Sequence, residues 1–260
     1  MIEPIAEWIA AHALWLWALL LLLALLIGDL AWQHNARWHR RARERGHPPV
    51  VLRRYIGLLL WLTLSLLFVT IARDIFAQQP GRLPAFDADL AEQLRAQLPA
   101  SVLRVIAMLT HLGDLLWIAP LSAAVAIALL LHKQGRLAGA WSITLPVNGG
   151  LKALFQRARP LHDHGFSMAS GWSFPSGHAF GAMVFYGMLA YVLLRLTPRH
   201  HRAIIAAAVM LIGLIGISRV LLQVHYFSDV LAGYAAGGAW LVLCIAGAEY
   251  LRQSASEPSP

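Results

Sequence analysis

Three short stretches of this 260-residue chain concentrate side chains able to do chemistry. KALFQRARP carries Lys152 and Arg159, FPSGH carries Ser176, Gly177 and His178, and SRVLLQVHYFSD carries Arg219, His225 and Asp229. Lys152 and Arg159 stand seven apart, two helical turns, so a helix continued to Pro160 would project both cations from one face. Read singly, such a pair also fits snorkelling towards lipid headgroups. Ser176 followed by Gly177 before an apolar block predicts a helix start with Ser176 as N-cap, and a helix N-terminus favours anions such as phosphate. His178 then falls in the first turn. His225 and Asp229 are four apart, which on a helix lets the carboxylate accept an imidazole N–H and fix the tautomer. Together they supply three cations, hydroxyl and backbone donors, an oriented histidine for attack and a second histidine for proton transfer.

The elements that position these groups are apolar helices. Hydrophobic residues make up 58% of the chain and charged ones 13%, a balance foreign to soluble domains of this size. Seven uncharged blocks read as spans: about 9–32, 56–72, 115–131, 137–151, 179–194, 203–218 and 230–248. Several are near the lower limit for crossing roughly 30 Å of hydrocarbon. The expected fold is all-α, a polytopic transmembrane helical bundle. The single cysteine, Cys244, lies mid-span and excludes an intramolecular disulfide.

The net charge of +8 does not point to nucleic acid, because no aromatic-interleaved reading surface accompanies it. Arg37, Arg40, Arg41, Arg43, Arg45, Arg53 and Arg54 crowd one loop between the first two spans, a cytoplasmic signal. That choice puts the N-terminus outside, the short basic loops 133–136 and 195–202 inside, and all three chemical stretches on the outer face. The first span is expected to remain in the mature protein, since its positive charges follow the apolar run. Between residues 73 and 114, Leu90, Leu94 and Leu98 recur every four residues after Asp89 and Glu92, a possible cap pair. This segment reads as one or two amphipathic helices, broken at Pro99 and Ser101, lying in the membrane interface or packing on the bundle. Asp87 and Asp89 fit either helix caps or a cation site. The tail SASEPSP is expected to be disordered.

The ordered set Lys152…Arg159-Pro160, Pro175-Ser176-Gly177-His178 and Ser218-Arg219…His225…Asp229 resembles the three-part signature of the type 2 phosphatidic acid phosphatase superfamily. The resemblance implies a six-helix phosphatase core over about 55–250. The first 54 residues would then be an added helix with its Arg-rich loop, and 251–260 a tail. It also implies hydrolysis of a lipid phosphate or pyrophosphate without metal or cofactor, and the arginine topology places that reaction at the outer face, expected of a bacterial inner membrane. In that scheme His225 is the nucleophile, Asp229 its orienting carboxylate and His178 the acid. Lys152, Arg159, Ser176, Gly177 and Arg219 hold the phosphoryl group, and vanadate is the expected inhibitor. Undecaprenyl pyrophosphate is the first substrate expected, with phosphatidylglycerophosphate and phosphatidate as alternatives. A lipid phosphotransferase or a non-enzymatic transporter on the same bundle are the rival readings.

Overall fold

The computed structural model describes residues 3–44, 50–77, 81–142, 148–160, 165 and 171–253. Among them the regular structure is helical: α1 (Glu3–Ala11), α2 (Ala13–Glu44), α3 (Val50–Phe76), α4 (Arg82–Gln97), α5 (Ala100–Thr110), α6 (Leu115–Leu131), α7 (Gly135–Ser142), α8 (Asn148–Phe155), α9 (Gly177–Leu196), α10 (His201–Leu221) and α11 (Phe227–Gln253). The disordered tail expected after residue 253 lies outside the described residues.

Among the described residues six stretches are long and apolar enough to cross a membrane: Ala13–Trp38, Tyr55–Phe76, Ala100–Leu131, Gly177–Leu196, Pro198–Leu221 and Phe227–Leu251. Five of the seven expected blocks fall within them, and the block at 9–32 does so from residue 13 onward. The block at 137–151 does not. It appears as two eight-residue helices, α7 and α8, on either side of residues 143–147, which lie outside the described set.

The centre of the bundle is α9 packed between α10 and α11, with α3 on the far side of α11. Glycine makes the closest approach possible. A side chain at Gly233 would meet the carbonyl oxygen of Ser176 at 2.7 Å, and one at Gly237 would meet that of Phe180 at 2.9 Å. These glycines, one turn apart, bring the N-terminal turn of α9 against α11, the use of small residues common where helices pack in lipid. Tyr234 likewise lies over Gly216 of α10, its hydroxyl donating to the carbonyl of Ile212 at 2.7 Å. Outside this centre, leucines such as Leu59, Leu66 and Leu116 face outwards, as lipid-facing positions do.

The segment before α6 forms α4 and α5, with the break where Pro99 predicts it. The apolar stripe of α4 does not face headgroups, however. Leu90 and Leu94 are buried in a cluster that includes Ala6, Ala10 and Ala13 of the N-terminal segment, so this helix packs on protein. Asp89 is in mid-helix, and the cap comes from elsewhere: the Asp74 carboxylate accepts from the Leu83 N–H at 2.9 Å. A carboxylate nine residues upstream does the work expected of the first turn.

The basic connections gather at one end of the bundle. Arg202 pairs with Asp29, Trp32 stacks on His201, and Arg195 pairs with Glu249. The three chemical stretches meet at the other end.

Candidate active site

His225 sits in the turn that reverses α10 into α11. The helix ends at Leu221, Gln223 takes a positive φ of 52°, and the N–H groups of Val224 and His225 both donate to the Arg219 carbonyl at 3.2 Å. His225 therefore precedes α11, whereas Asp229 belongs to its first turn. They do not share a continuous helical face as the spacing suggested, yet the tight turn still brings them together. His225 Nδ1 lies 3.5 Å from Asp229 Oδ2 and 3.3 Å from Ser173 Oγ. The same carboxylate oxygen accepts from the Tyr226 N–H at 2.9 Å and from the Ser173 hydroxyl.

The other ring nitrogen, Nε2, is 3.2 Å from Arg159 Nη1, a donor. A nitrogen that accepts from a guanidinium carries no proton, so the network assigns the hydrogen to Nδ1. Burial drives the imidazole down to about 3, outweighing the opposing pull of Asp229. A neutral ring with an unprotonated Nε2 is what nucleophilic catalysis needs.

Asp229 is completely buried and its second oxygen is bound too: Arg157 Nη1 donates to Oδ1 at 2.7 Å. Arg157 Nη2 donates to Asp87 of α4 at 2.8 Å, and the guanidinium lies 4.2 Å over the Tyr226 ring. Asp87 also accepts from the N–H and hydroxyl of Ser228. This answers the alternatives for Asp87: it caps α11 from another helix and pairs with Arg157. Burial pushes the Asp87 carboxyl upwards against the pull of Ser228 and Arg157. Burial also works against the Arg157 charge, but the two carboxylates overcome it and hold the guanidinium above its usual range.

Ser176 is the N-cap of α9, as expected, its hydroxyl accepting from the Ala179 N–H at 3.4 Å. Its own N–H donates to the Asp229 carbonyl at 3.0 Å, which ties the starts of α9 and α11 together. Gly177 and His178 open α9. His178 Nε2 contacts Asp114 Oδ1 at 2.7 Å.

The cations arrive by different routes. α8 stops at Phe155, Gln156 takes a φ of 46°, and Arg159 lies beyond the helix, so the shared helical face expected for Lys152 and Arg159 does not exist. They converge nonetheless, both donating to the Trp172 carbonyl at 3.2 Å. Arg159 is fixed further by the carbonyls of Gly171 at 3.0 Å and Val224 at 2.6 Å.

Arg219 is 3% exposed and donates to Thr110 Oγ1 at 3.0 Å, while its buried Nε has no partner among the described residues. Among those residues no carboxylate makes an ion pair with Lys152 or Arg219. Burial, then repulsion from Arg159, with a smaller push from Arg219 and Asp229 opposing, brings the Lys152 ammonium down to about 8. A buried guanidinium with a spare donor beside two more cations is built for an anion.

An apolar groove of about 560 Å³ opens beside this cluster, between α3 and α8, lined by Phe68, Ala72, Arg73, Phe76 and Phe155. Phe155, three residues from Lys152, also packs edge-on against Phe174, next to Ser173.

Arg157, Ser173, Asp114 and Thr110 were not read from the sequence as site residues, and Asp87 was read only as a cap or cation ligand, not as a partner of Arg157. Arg157 and Ser173 lie inside or beside the quoted stretches and were legible as extra polar positions there. The other three join from α4 and from the segment around α5 and α6, with no local spacing to announce them.

Residues 117–253 match the PAP2 superfamily. The chain is similar to a lipid A 1-phosphatase from Rhizobium etli, 33% identical over 194 residues that span 62% of this chain and 76% of the relative. It is also similar to phosphatidylglycerophosphatase B of Bacillus subtilis, 30% identical over 150 residues, 51% of this chain and 68% of that one. The crystal structure of a transmembrane PAP2 type phosphatidylglycerolphosphate phosphatase from Bacillus subtilis superposes with a TM-score of 0.65 at 24% identity, covering 77% of this chain and 98% of that one. The superposition supports the fold, and the sequence match runs through all three chemical stretches over just over half the chain: the protein belongs to the PAP2 superfamily.

Proposed function

We propose that the protein is a membrane lipid phosphatase that works by a phosphohistidine at His225. The observation that carries this reading is the convergence of Lys152 and Arg159 on the Trp172 carbonyl, with Arg159 also at the unprotonated Nε2 of His225 and Arg219 keeping a buried Nε without a partner among the described residues. Family membership and relatives named as lipid phosphatases support it.

The phosphoryl group rests against the start of α9, at Ser176 and Gly177, with its oxygens held by Lys152, Arg159 and Arg219. Nε2 of His225 attacks phosphorus as the bond to the lipid oxygen breaks, and His178 gives that oxygen a proton. Water then attacks the phosphohistidine, the N–P bond breaks, and the water's proton passes to His178. Three cations and a helix N-terminus supply the charge stabilisation that phosphoryl transfer requires, so turnover is expected to survive EDTA. Vanadate is expected to compete with substrate.

The bundle supports an outward site. Basic connections collect at one end and the catalytic stretches at the other, and the Arg-rich end belongs in the cytoplasm. This arrangement requires the segment carrying α7 and α8 to take the chain across as a seventh crossing. Trp141 of α7 donates to Ser122 midway along α6, and Lys152 of α8 already reaches the site. Residues 1–54 are proposed as an addition to the core, since the solved neighbour is almost fully covered while part of this chain is left over.

The groove beside Lys152 suits a lipid tail. Phosphorylated glycolipid is the first substrate class, because a relative 33% identical to this chain is a lipid A 1-phosphatase. Undecaprenyl pyrophosphate, favoured by an outward site, is the second. Purified protein in detergent, given lipid A 1-phosphate, undecaprenyl pyrophosphate, phosphatidylglycerophosphate and phosphatidate, is expected to release phosphate with the highest kcat/KM on the first. Equal values across the panel reject that preference. Transfer to an acceptor lipid in place of phosphate release rejects hydrolysis.

A further inference from the structure

The turn that joins α5 to α6 is held at every second residue. Thr110 Oγ1 accepts from Ser218 Oγ at 2.8 Å and from Arg219 Nη1 at 3.0 Å. The Leu112 carbonyl accepts from the Tyr186 hydroxyl at 2.8 Å. Asp114 then contacts His178 Nε2 through Oδ1 at 2.7 Å, and His111 Nδ1 through Oδ2 at 2.6 Å.

Gly113 completes the arrangement. A Cβ there would stand 2.9 Å from Cδ2 of His178 and 2.5 Å from Ile215, so the imidazole packs closely against a residue without a side chain. α9 and α10, which carry His178 and Arg219, are thus the two helices that fix this turn. None of it is visible as a motif, since Asp114 is separated from His178 by 64 residues.

We propose that Asp114 is the positioning residue of His178, holding its ring by Nε2 so that Nδ1 faces the leaving oxygen. His111 steadies the other carboxylate oxygen from the surface. Asp114 thereby does for the acid what Asp229 does for the nucleophile, and the site contains two histidine–carboxylate pairs from three separate segments. The cations that bear on His178 are Arg219 and Lys152, and Asp114 is the negative charge set against them. A protonated imidazole among cations needs such a partner. In turnover the Nδ1 proton goes to the lipid oxygen and the ring keeps its Nε2 hydrogen on Asp114. Nδ1 is then ready to take the proton of the attacking water.

This inference rests on the reading of His178 as the acid, and leaving-group dependence separates the two. An alkyl phosphate leaves poorly without a proton, whereas a p-nitrophenyl ester leaves without help. His178→Ala is expected to lose about 10²–10⁴ in kcat on a short-chain alkyl phosphate and far less on its p-nitrophenyl counterpart. Asp114→Asn is expected to show the same selectivity at smaller size, about 10–100-fold on the alkyl phosphate with KM little changed, as for other residues that orient a working histidine.

If Asp114→Asn loses equally on both substrates, or on neither, while His178→Ala is selective, the positioning role is overturned and the acid stands. If His178→Ala is not selective, the acid assignment falls and this inference falls with it. Should Asp114→Asn not fold, His111→Gln, at an exposed position, decides: a smaller loss confined to the alkyl phosphate supports the role, and no selectivity overturns it.

Discussion

Two corners of the site differ in how their charges are partnered. Around His225 every charge is answered: Arg157 bridges Asp87 and Asp229, and Ser173, Ser228 and the Tyr226 N–H fill the remaining carboxylate positions. A few ångströms away, Lys152 and Arg219 have no carboxylate in ion-pair contact among the described residues, and Arg219 keeps a buried donor unused. The first corner holds the fold and aims the ring. The second stores unmet positive charge for a ligand. Stability and binding are thus written into neighbouring but separable residues.

The comparison can be broken by substitution. The largest effect is expected at the point where the corners meet: His225→Ala should lower kcat by about 10⁴ or more with the melting temperature little changed, as removal of a nucleophile does. Steady-state phosphate release and thermal melting of the same preparation check it. Next, Arg157→Met leaves Asp87 and Asp229 buried without their shared cation. A loss of about 3–5 kcal/mol is expected from chemical unfolding in detergent, because breaking a buried pair strands a charge.

Arg219→Met should do the opposite. Phosphate release should fall by about 10²–10³ in kcat/KM and vanadate inhibition weaken, while stability holds or rises, since a poorly satisfied buried charge is removed. A marked drop in melting temperature there would erase the distinction between the two corners. The smallest effect is a shift in pH. The Lys152 ammonium, brought down to about 8 by burial and its cationic neighbours, is charged below that value and loses its charge as pH rises through it. The alkaline limb of kcat/KM is therefore expected near pH 8, and Lys152→Arg, which keeps its charge, should move it upwards.

Much of the site was legible because its residues sit in compact stretches with chemical meaning. Lys152, Arg159, Ser176, Gly177, His178, Arg219, His225 and Asp229 all reach the same end of the bundle. Ser176 also takes the cap position its sequence context predicts. What spacing misjudged was the backbone between them. A positive φ at Gln156 ends the helix before Arg159, and another at Gln223 turns the chain before His225, so helical periodicity gave the right neighbours for the wrong reason. The supporting residues were out of reach for a different cause. Asp87 meets Ser228 across 141 positions and Thr110 meets Arg219 across 109, and such pairs leave no periodic trace. The amphipathic stripe of α4 was visible, but periodicity does not say whether lipid or the small residues of α1 will cover it. The fold class followed from seven apolar blocks.

The most direct test of the account is to trap the intermediate. Enzyme mixed with a lipid phosphate labelled with ³²P in its terminal phosphate, then quenched in alkaline denaturant within a turnover, is expected to carry acid-labile label on His225. His225→Ala should carry none, and His178→Ala should carry more from a good leaving group, because its second step is slowed. Rapid turnover with no labelled protein, or label on any other residue, would contradict a phosphohistidine at the centre of this site.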